Sequence, residues 1–384
     1  MKLLTILIMM LFYNLSSVPQ LVKVNTRIKK LFLKELQRKN IQNAFLHIYA
    51  PTHDINWKFA DGQFADGSPV TVKNPFLTAS IGKSFTATAI LILSEQNRLS
   101  IHDNIHRLLP AEIIEGLHVY RGNDYSKKIT IAHLLQHTSG LPDYFEDSTR
   151  DGSENVIRLL FSKPDRQWHP VETIQFAKEK MKPHFAPGQG YHYTDTEYVL
   201  LGMIIENVTG QSLNHFFSEY FFKPLEMKHT AMHMRSESLQ PVGKLAETYA
   251  GRIEISSYKS ISADWAGGGL SATAADLNKF QLALHSGNLI SPKTLETMQQ
   301  WVPESKGMYY GFGLRKFVFR ELFPLLPKLE IIGHSGSTGS FMYYCPQLDV
   351  YLAGTLNQTE AVKRSVVWMV KILSEIKKRI NLNR

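Results

Sequence analysis

The segment that most constrains this chain is Phe76-Leu77-Thr78-Ala79-Ser80-Ile81-Gly82-Lys83-Ser84-Phe85, which continues through Ala87, Ala89, Ile90, Leu91 and Leu93 with Lys83 as its sole charged side chain. A long helix of this kind is buried, so the rest of the chain must be built around it. Ser80 and Lys83 stand three residues apart, and residues at that spacing share a helix face. A hydroxyl and an amine that converge there suit nucleophilic chemistry, because serine is weak until a neighbour takes its proton. Lysine accepts a proton only when neutral, and its free pKa is about 10.4. A desolvated or cation-rich pocket lowers that value, and the apolar flank predicts burial. Ser-x-x-Lys recurs at Ser256/Lys259, in a polar run without an apolar helix behind it, and at Ser374/Lys377, well inside a C-terminal helical pattern. Serine is also a preferred helix cap, so the motif alone leaves cap and nucleophile open.

A chain of 384 residues exceeds one core of ordinary size, which predicts two lobes or one large mixed domain. Cys345 is the single cysteine, which excludes an intramolecular disulfide and a thiol metal cluster. The net charge of +9 has the sign of a nucleic-acid binder until it is located. Residues 23–40 hold Lys23, Arg27, Lys29, Lys30, Lys34, Arg38 and Lys39 against Glu35. Residues 360–384 hold Lys363, Arg364, Lys371, Lys377, Lys378, Arg379 and Arg384 against Glu360 and Glu375. The body between them is mildly acidic. Two amphipathic terminal helices with solvated basic faces account for this, and peripheral contact with an anionic membrane or wall is the sharper alternative. No stretch interleaves basic and aromatic residues as a nucleic-acid surface does.

Lys2 precedes an apolar run from Leu3 to Tyr13, short for a membrane span and right for a signal-peptide core. Residues 1–18 are therefore expected to be a signal peptide or an uncleaved N-terminal anchor. The protein is expected to be exported, and either secreted or held at the outer face of the membrane.

Ile28, Leu31, Phe32 and Leu36 recur at helical spacing, which predicts a first helix over about 23–39. Alternation in Ala44-Phe45-Leu46-His47-Ile48-Tyr49 predicts a strand, paired with Ile55 to Phe59. The Ser80 helix is expected to run to about Asn97, and a short one over Thr130–Leu135 ends at His137-Thr138-Ser139-Gly140-Leu141-Pro142. Residues 153–222 read as mostly helical with a break at Phe185–Gly190. Gly267-Gly268-Gly269 precedes a helix opened by Ala274-Ala275-Asp276 and closed by Gly287. Tyr309–Phe319, Leu329–Gly333, Phe341–Tyr344 and Val350–Leu356 are expected strands, followed by a last helix from about Glu360. Strands at both ends around a helical middle predict one sheet completed by both termini.

Two further segments carry chemistry. Tyr191-His192-Tyr193-Thr194-Asp195 opens a helix, where a tyrosine can shuttle a proton if a cation lowers its pKa of about 10. Gly333-His334-Ser335-Gly336-Ser337-Thr338-Gly339-Ser340 has small residues that let a substrate lie against backbone; a hairpin turn is the alternative. Together, Ser-x-x-Lys, Tyr-x-Asp about a hundred residues later, and His-Ser-Gly near the end resemble the serine β-lactamase and penicillin-binding-protein superfamily. Leu134–Pro142 and Gly268–Leu277 look like two more signatures of its class C-like branch, which includes D-alanyl-D-alanine carboxypeptidases, D-aminopeptidases and carboxylesterases.

The resemblance spans about residues 25–375. It implies an α+β fold with a mainly antiparallel sheet flanked by the N- and C-terminal helices, and an inserted all-helical lobe. The α/β lobe would take about 23–80 and 245–380 of a catalytic domain over 23–380, and the helical lobe about 81–244. It implies Ser80 as acylated nucleophile, Lys83 as base and Tyr193 as proton carrier to the leaving group. The N–H groups of Ser80 and Ser337 would form the oxyanion hole, and Asp195, His334, Ser335, Gly336 and Ser337 would contact substrate.

The implied activity is that of a serine hydrolase acting through an acyl-enzyme on a small amide or ester, with a D-alanyl peptide or cell-wall fragment as first candidate. A non-catalytic peptidoglycan- or partner-binding module of the same fold is the alternative, and a β-lactamase the weaker one. No metal or organic cofactor is implied. His133 and His137 have Leu134 where a zincin needs Glu, and Gly267–Gly269 lacks a P-loop lysine. Two departures stand out. Asp195 replaces an Asn amide with a carboxylate that cannot donate a hydrogen bond and would hold Lys83 charged. His334 replaces a lysine and offers a substrate carboxylate a conditional positive charge.

Overall fold

The computed structural model describes residues 21–380. The apolar segment over residues 1–18, expected as leader or anchor, lies outside them. Among the described residues, no helix is long and apolar enough to cross a membrane.

An eight-stranded sheet forms the frame. In chain order its strands are β1 (Asn43–Ala50), β2 (Ile55–Gly62), β3 (Val302–Ser305), β4 (Met308–Tyr310), β5 (Arg315–Val318), β6 (Glu330–Ser335), β7 (Phe341–Cys345) and β8 (Val350–Thr355). They lie in the order β3-β4-β5-β6-β7-β8-β1-β2, and every neighbouring pair is antiparallel. β1 pairs with β8 in the register Phe45↔Thr355 to Tyr49↔Tyr351, so both ends of the chain complete one sheet. The expected strand over Tyr309–Phe319 is two strands, β4 and β5, because residues 311–314 turn. Gly313 occupies that turn with φ +68°, and a Cβ there would collide with Ala87 of the Ser80 helix.

Side chains alternate across a strand, and here the alternation assigns each strand to two different cores. Leu46 and Ile48 of β1, Tyr343 of β7 and Leu352 of β8 face one side with Ile28, Phe32, Trp368, Ile372 and Leu373. Those last five belong to a helix over residues 21–36 and to the helix Val362–Ile380. Phe45, Ile332, Met342 and Ala353 face the other side. There the helices Gly82–Glu95, Asp195–Thr209 and Ala274–His285 bury Phe85, Ile90, Leu200, Ile204 and Phe280. The helical segment between the halves also carries the short ladders Val119–Tyr120 with Asn123–Asp124 and Ala231–Met232 with Leu270–Ala272. Leu270–Ala272 pairs in turn with Phe76–Leu77 and fixes the approach to Ser80.

Candidate active site

Ser80 sits in a single 3-10 turn, Ala79–Ile81, that leads into the helix Gly82–Glu95. Neither turn nor helix takes a side-chain cap from it, which removes the capping role. Ala79 just before it holds φ +47°, a region that costs a non-glycine residue strain and that recurs at functional sites. Gly268 packs directly under this turn, where a Cβ would strike the Ala79 backbone and the Asp264 carboxylate. The glycine run thus serves close approach to the Ser80 loop.

Lys83 is fully buried. Its ammonium donates to Ser80 Oγ at 3.2 Å, to the Gly267 carbonyl at 3.2 Å and, in a short contact, to Asp195 Oδ1. Burial opposes the charge, but the adjoining Asp195 carboxylate outweighs it and holds the Lys83 pKa above its ordinary value. Apolar flanks alone would have lowered it; the burial is present and the shift is reversed. The resting Lys83 is therefore an ammonium.

Asp195 opens its helix behind the cap Thr194, whose side chain accepts from the Thr196 N–H. Thr194 and Thr196 both bond the Pro142 carbonyl, at 2.9 and 2.6 Å, and the Asp195 N–H donates to Asp143 Oδ1 at 2.9 Å. This clamp delivers Tyr193 to the same cavity wall as Ser80, 4.9 Å from the Lys83 amine, measured to the ring centre. Burial pushes the Tyr193 phenol up to about 12, with Lys83 and Arg315 pulling it down and Asp195 adding to the rise. Tyr193 is accordingly a neutral phenol at rest.

Two more carboxyls crowd the pair. Burial, then the Asp195 charge, pushes Asp143 up to about 8 and raises Asp264 well above the usual carboxyl range. Behind Tyr193, His137 bonds Glu197 in another short contact and Ser139 Oγ donates to Glu197 at 2.5 Å. Burial lowers the His137 pKa and raises that of Glu197, which makes this a neutral pair. His133 instead caps its own short helix with Thr130.

The turn between β6 and β7 closes the site. Thr338 Oγ1 donates to the Leu77 carbonyl at 3.1 Å and Ser340 Oγ to the Thr78 carbonyl at 2.6 Å, strapping Gly336–Ser340 to the Ser80 loop. Ser335, Gly336 and Ser337 line the same cavity as Ser80, Tyr193 and Asp195. The segment is thus both the hairpin turn and a wall of the site.

The expectation for His334 is corrected. It is buried and does not line the cavity; Nδ1 donates to the Ser335 carbonyl at 2.8 Å, leaving Nε2 to accept from Tyr310 Oη at 3.0 Å. Burial, then Arg315 and Lys83, pushes its pKa well below the ordinary histidine value, so it offers a substrate no positive charge. A second cation beside Tyr193, after Lys83, is Arg315, 5.3 Å from the ring centre, held in a two-point bond to Glu304 at 2.7 Å each.

The cavity encloses about 490 Å³. Phe145, Ile157, Leu160 and Phe161 give it an apolar wall, Arg235 and Arg315 supply positive charge, and Asp143 and Asp264 add carboxyls whose ionisation burial opposes. Sequence reasoning missed Arg315, Asp143, Asp264 and Glu197. The first two stand in signals that were available: an arginine opening a strand of the sheet, and the aspartate directly after Leu141-Pro142.

An antiparallel sheet covered on one face by both terminal helices, with a helical lobe on its other side and Ser80, Lys83 and Tyr193 at their junction, defines a β-lactamase-like α+β protein. A family model described as Beta-lactamase matches residues 35–373, and the chain belongs to that family. It is 27% identical over 312 residues to Penicillin-binding protein 4* of Bacillus subtilis, covering 73% of this chain and 64% of that one. It is 34% identical over 152 residues to Protein flp of Staphylococcus aureus, covering 40% and 27%. The chain thus matches less than two thirds of the length of these curated relatives. Among solved structures, a D-stereospecific amidohydrolase from Streptomyces sp. aligns with a TM-score of 0.68 at 26% identity, over 84% of this chain and 91% of that one. D-amino acid amidase from Ochrobactrum anthropi SV3 aligns with a TM-score of 0.77 at 23% identity, over 93% and 99%, a likeness of fold.

Proposed function

We propose that the protein is a serine hydrolase that works through an acyl-enzyme on a small amide or ester, with a D-alanyl peptide or cell-wall fragment as its first substrate class. The observation that carries this is Ser80 Oγ held 3.2 Å from Lys83 Nζ, with Tyr193 beside them on the wall of one cavity. Support for the substrate class comes from the 26% identical Streptomyces D-stereospecific amidohydrolase and from the apolar wall, which suits the side chain of an acyl group. The apolar pattern over residues 1–18 supports an exported activity, either secreted or held at the outer face of the membrane.

In this mechanism Ser80 Oγ attacks the substrate carbonyl, and the Ser80 and Ser337 N–H groups receive the oxyanion. Lys83 is charged, so it takes the Ser80 proton only as it hands one of its own away. Of the three groups it donates to, the Asp195 carboxylate is the one suited to keep a proton, since a carbonyl and a hydroxyl are far weaker bases. The proton therefore moves from Ser80 to Lys83 while another moves from Lys83 to Asp195, which leaves Lys83 as it was and Asp195 protonated. Tyr193 gives its proton to the leaving amine or alkoxide and regains one from Lys83, which takes back the proton held by Asp195. Water then attacks the acyl-enzyme, its proton follows the reverse route to Ser80 Oγ, and the carboxylic acid departs.

Intact-protein mass spectrometry tests the reading. Residues 20–384 are incubated with a fluorophosphonate and separately with a penicillin, wild type beside Ser80→Ala. A mass increment that depends on Ser80 is expected from the fluorophosphonate, and hydrolysis of D-Ala-D-Ala peptide or p-nitrophenyl acetate should vanish with the same substitution. Hydrolysis unchanged in Ser80→Ala removes the proposal. A second reading is favoured by the charged Lys83: a binding module that recognises peptidoglycan without turnover. Saturable binding with no adduct from either probe, in folded protein, would select it.

A further inference from the structure

His133 and His137 lack the glutamate a zincin needs, and the structure assembles a different group of ligand-type residues. His184 Nε2 lies 2.7 Å and His192 Nε2 3.0 Å from the same oxygen, Asp147 Oδ2. One potential ligand atom from each of the three residues falls within 4.8 Å of the others. Each member is set by backbone. The His184 N–H donates to the Gly140 carbonyl and the His192 N–H to the His137 carbonyl, both at 2.9 Å. The Asp143 N–H donates to Asp147 Oδ2 at 2.8 Å, an outer contact that orients the carboxylate as metal-site carboxylates are oriented.

The two imidazoles are packed with ring centres 3.7 Å apart and planes 32° from parallel. As free side chains, both must present an Nε2 proton to one oxygen at this separation, and two imidazolium rings so placed repel. A divalent ion replaces both protons with a single positive centre at the point where the ring edges converge. Two imidazoles and a carboxylate are three of the four ligands of an open zinc site, and imidazole suits zinc and its neighbours among transition metals. Zinc–nitrogen and zinc–oxygen bonds of roughly 2.0–2.2 Å need the ligand atoms to spread by only about half an ångström. All three side chains remain partly exposed, so an ion can arrive from solvent and keep a water as fourth ligand.

We propose that Asp147, His184 and His192 bind one zinc-type divalent ion. The ion would tie the 143–147 loop to the segment that carries Tyr193. Since Asp143 also accepts the Asp195 N–H, the ion would stiffen the frame of the cavity from outside it. Its role is positional, and the proposal stands independently of the reaction assigned to the cavity.

The test uses the full chain stripped with chelator and dialysed. Zinc chloride is titrated by calorimetry, and cobalt(II) chloride by visible absorption, into wild type, His184→Gln and Asp147→Asn, with near-ultraviolet circular dichroism as the fold check. One ion per chain, an intense cobalt band of the kind low-coordinate sites give, and a rise in melting temperature with zinc are expected. Affinity should fall at least about tenfold in each variant. His192→Gln serves as replacement should either variant lose the native dichroism. No saturable uptake by wild type, or wild-type affinity in two folded variants, overturns the proposal.

Discussion

The two faces of the large sheet are built by opposite rules. Against the terminal helices, Phe32, Phe341 and Trp368 form a dry aromatic cluster, with ring centres 5.9 and 5.6 Å from Trp368, and the basic residues stand on the outside. Facing the cavity, Lys83, Asp143, Asp195, Asp264, Tyr193, His137 and Glu197 are packed into one region. Buried charge costs free energy unless it is paired and hydrogen-bonded. Strain at Ala79 and crowded carboxyls are therefore concentrated where reactivity is needed, and the opposite face supplies stability that the site does not.

The sharpest way to break that comparison is to remove the nucleophile. Ser80→Ala should cost on the order of 10⁴- to 10⁶-fold in turnover, the range seen when a catalytic unit loses its nucleophile, while the melting temperature stays within a few degrees. Residual hydrolysis near the wild-type rate would mean the polar face serves something other than Ser80.

Asp195→Asn probes the same face through pH. In wild type the proton passes between Lys83 and Asp195, so kcat/KM should be flat from about pH 5 to 7, below the Asp143 value of about 8 and well below the raised Lys83 value. Asparagine cannot take the proton, and without the carboxylate the Lys83 pKa falls. The variant should then be about 10²- to 10⁴-fold slower near neutral pH, the usual worth of a positioned acid–base group. Its kcat/KM should climb with pH as Lys83 loses its proton to solvent. A wild-type profile that already rises tenfold per pH unit would show that Lys83 deprotonates to solvent, and would remove Asp195 as acceptor.

On the opposite face, Trp368→Ala should lower stability by about 3–5 kcal/mol, as large aromatic truncations in cores do. The urea midpoint should fall with an unchanged slope, while turnover per folded molecule stays within about twofold. A large loss of turnover in the folded fraction would show that the two faces are coupled through the sheet.

The division was partly legible in the sequence. Alternation in Ala44–Tyr49 and the apolar runs after it specify strands whose sides follow from period two alone. The uncharged run around Lys83 specifies a buried helix, and with it Ser80 and Lys83 on one face. What stayed hidden depended on approach in three dimensions. His334 follows an apolar strand in a segment that reads as a substrate wall, yet the pleat turns its ring to Tyr310 Oη. Arg315 lies 122 residues from Tyr193 along the chain, and only the folding of β5 beside β6 brings it over that ring. The sign of the Lys83 shift was half legible. Apolar neighbours argue for a lowered value and Asp195 for a charged lysine, and only the direct Lys83–Asp195 contact in the folded chain decides for the second.

The smallest effect tests whether charge on the terminal-helix face is peripheral. Glu35 is buried and meets Arg38 Nε at 2.8 Å and Arg364 Nη1 at 3.4 Å, joining the first and last helices at their rim. Both arginines are more than a third exposed, so solvent and salt screen the pairs. Glu35→Gln keeps the shape and should cost about 1 kcal/mol or less, a loss that shrinks further in molar salt. Were it to cost as much as Trp368→Ala, and equally at high salt, the terminal face too would depend on a buried ion cluster. The contrast between its dry packing and the charged cavity would then be one of degree, and the apolar cluster would no longer account for the stability that offsets the cavity's buried charge.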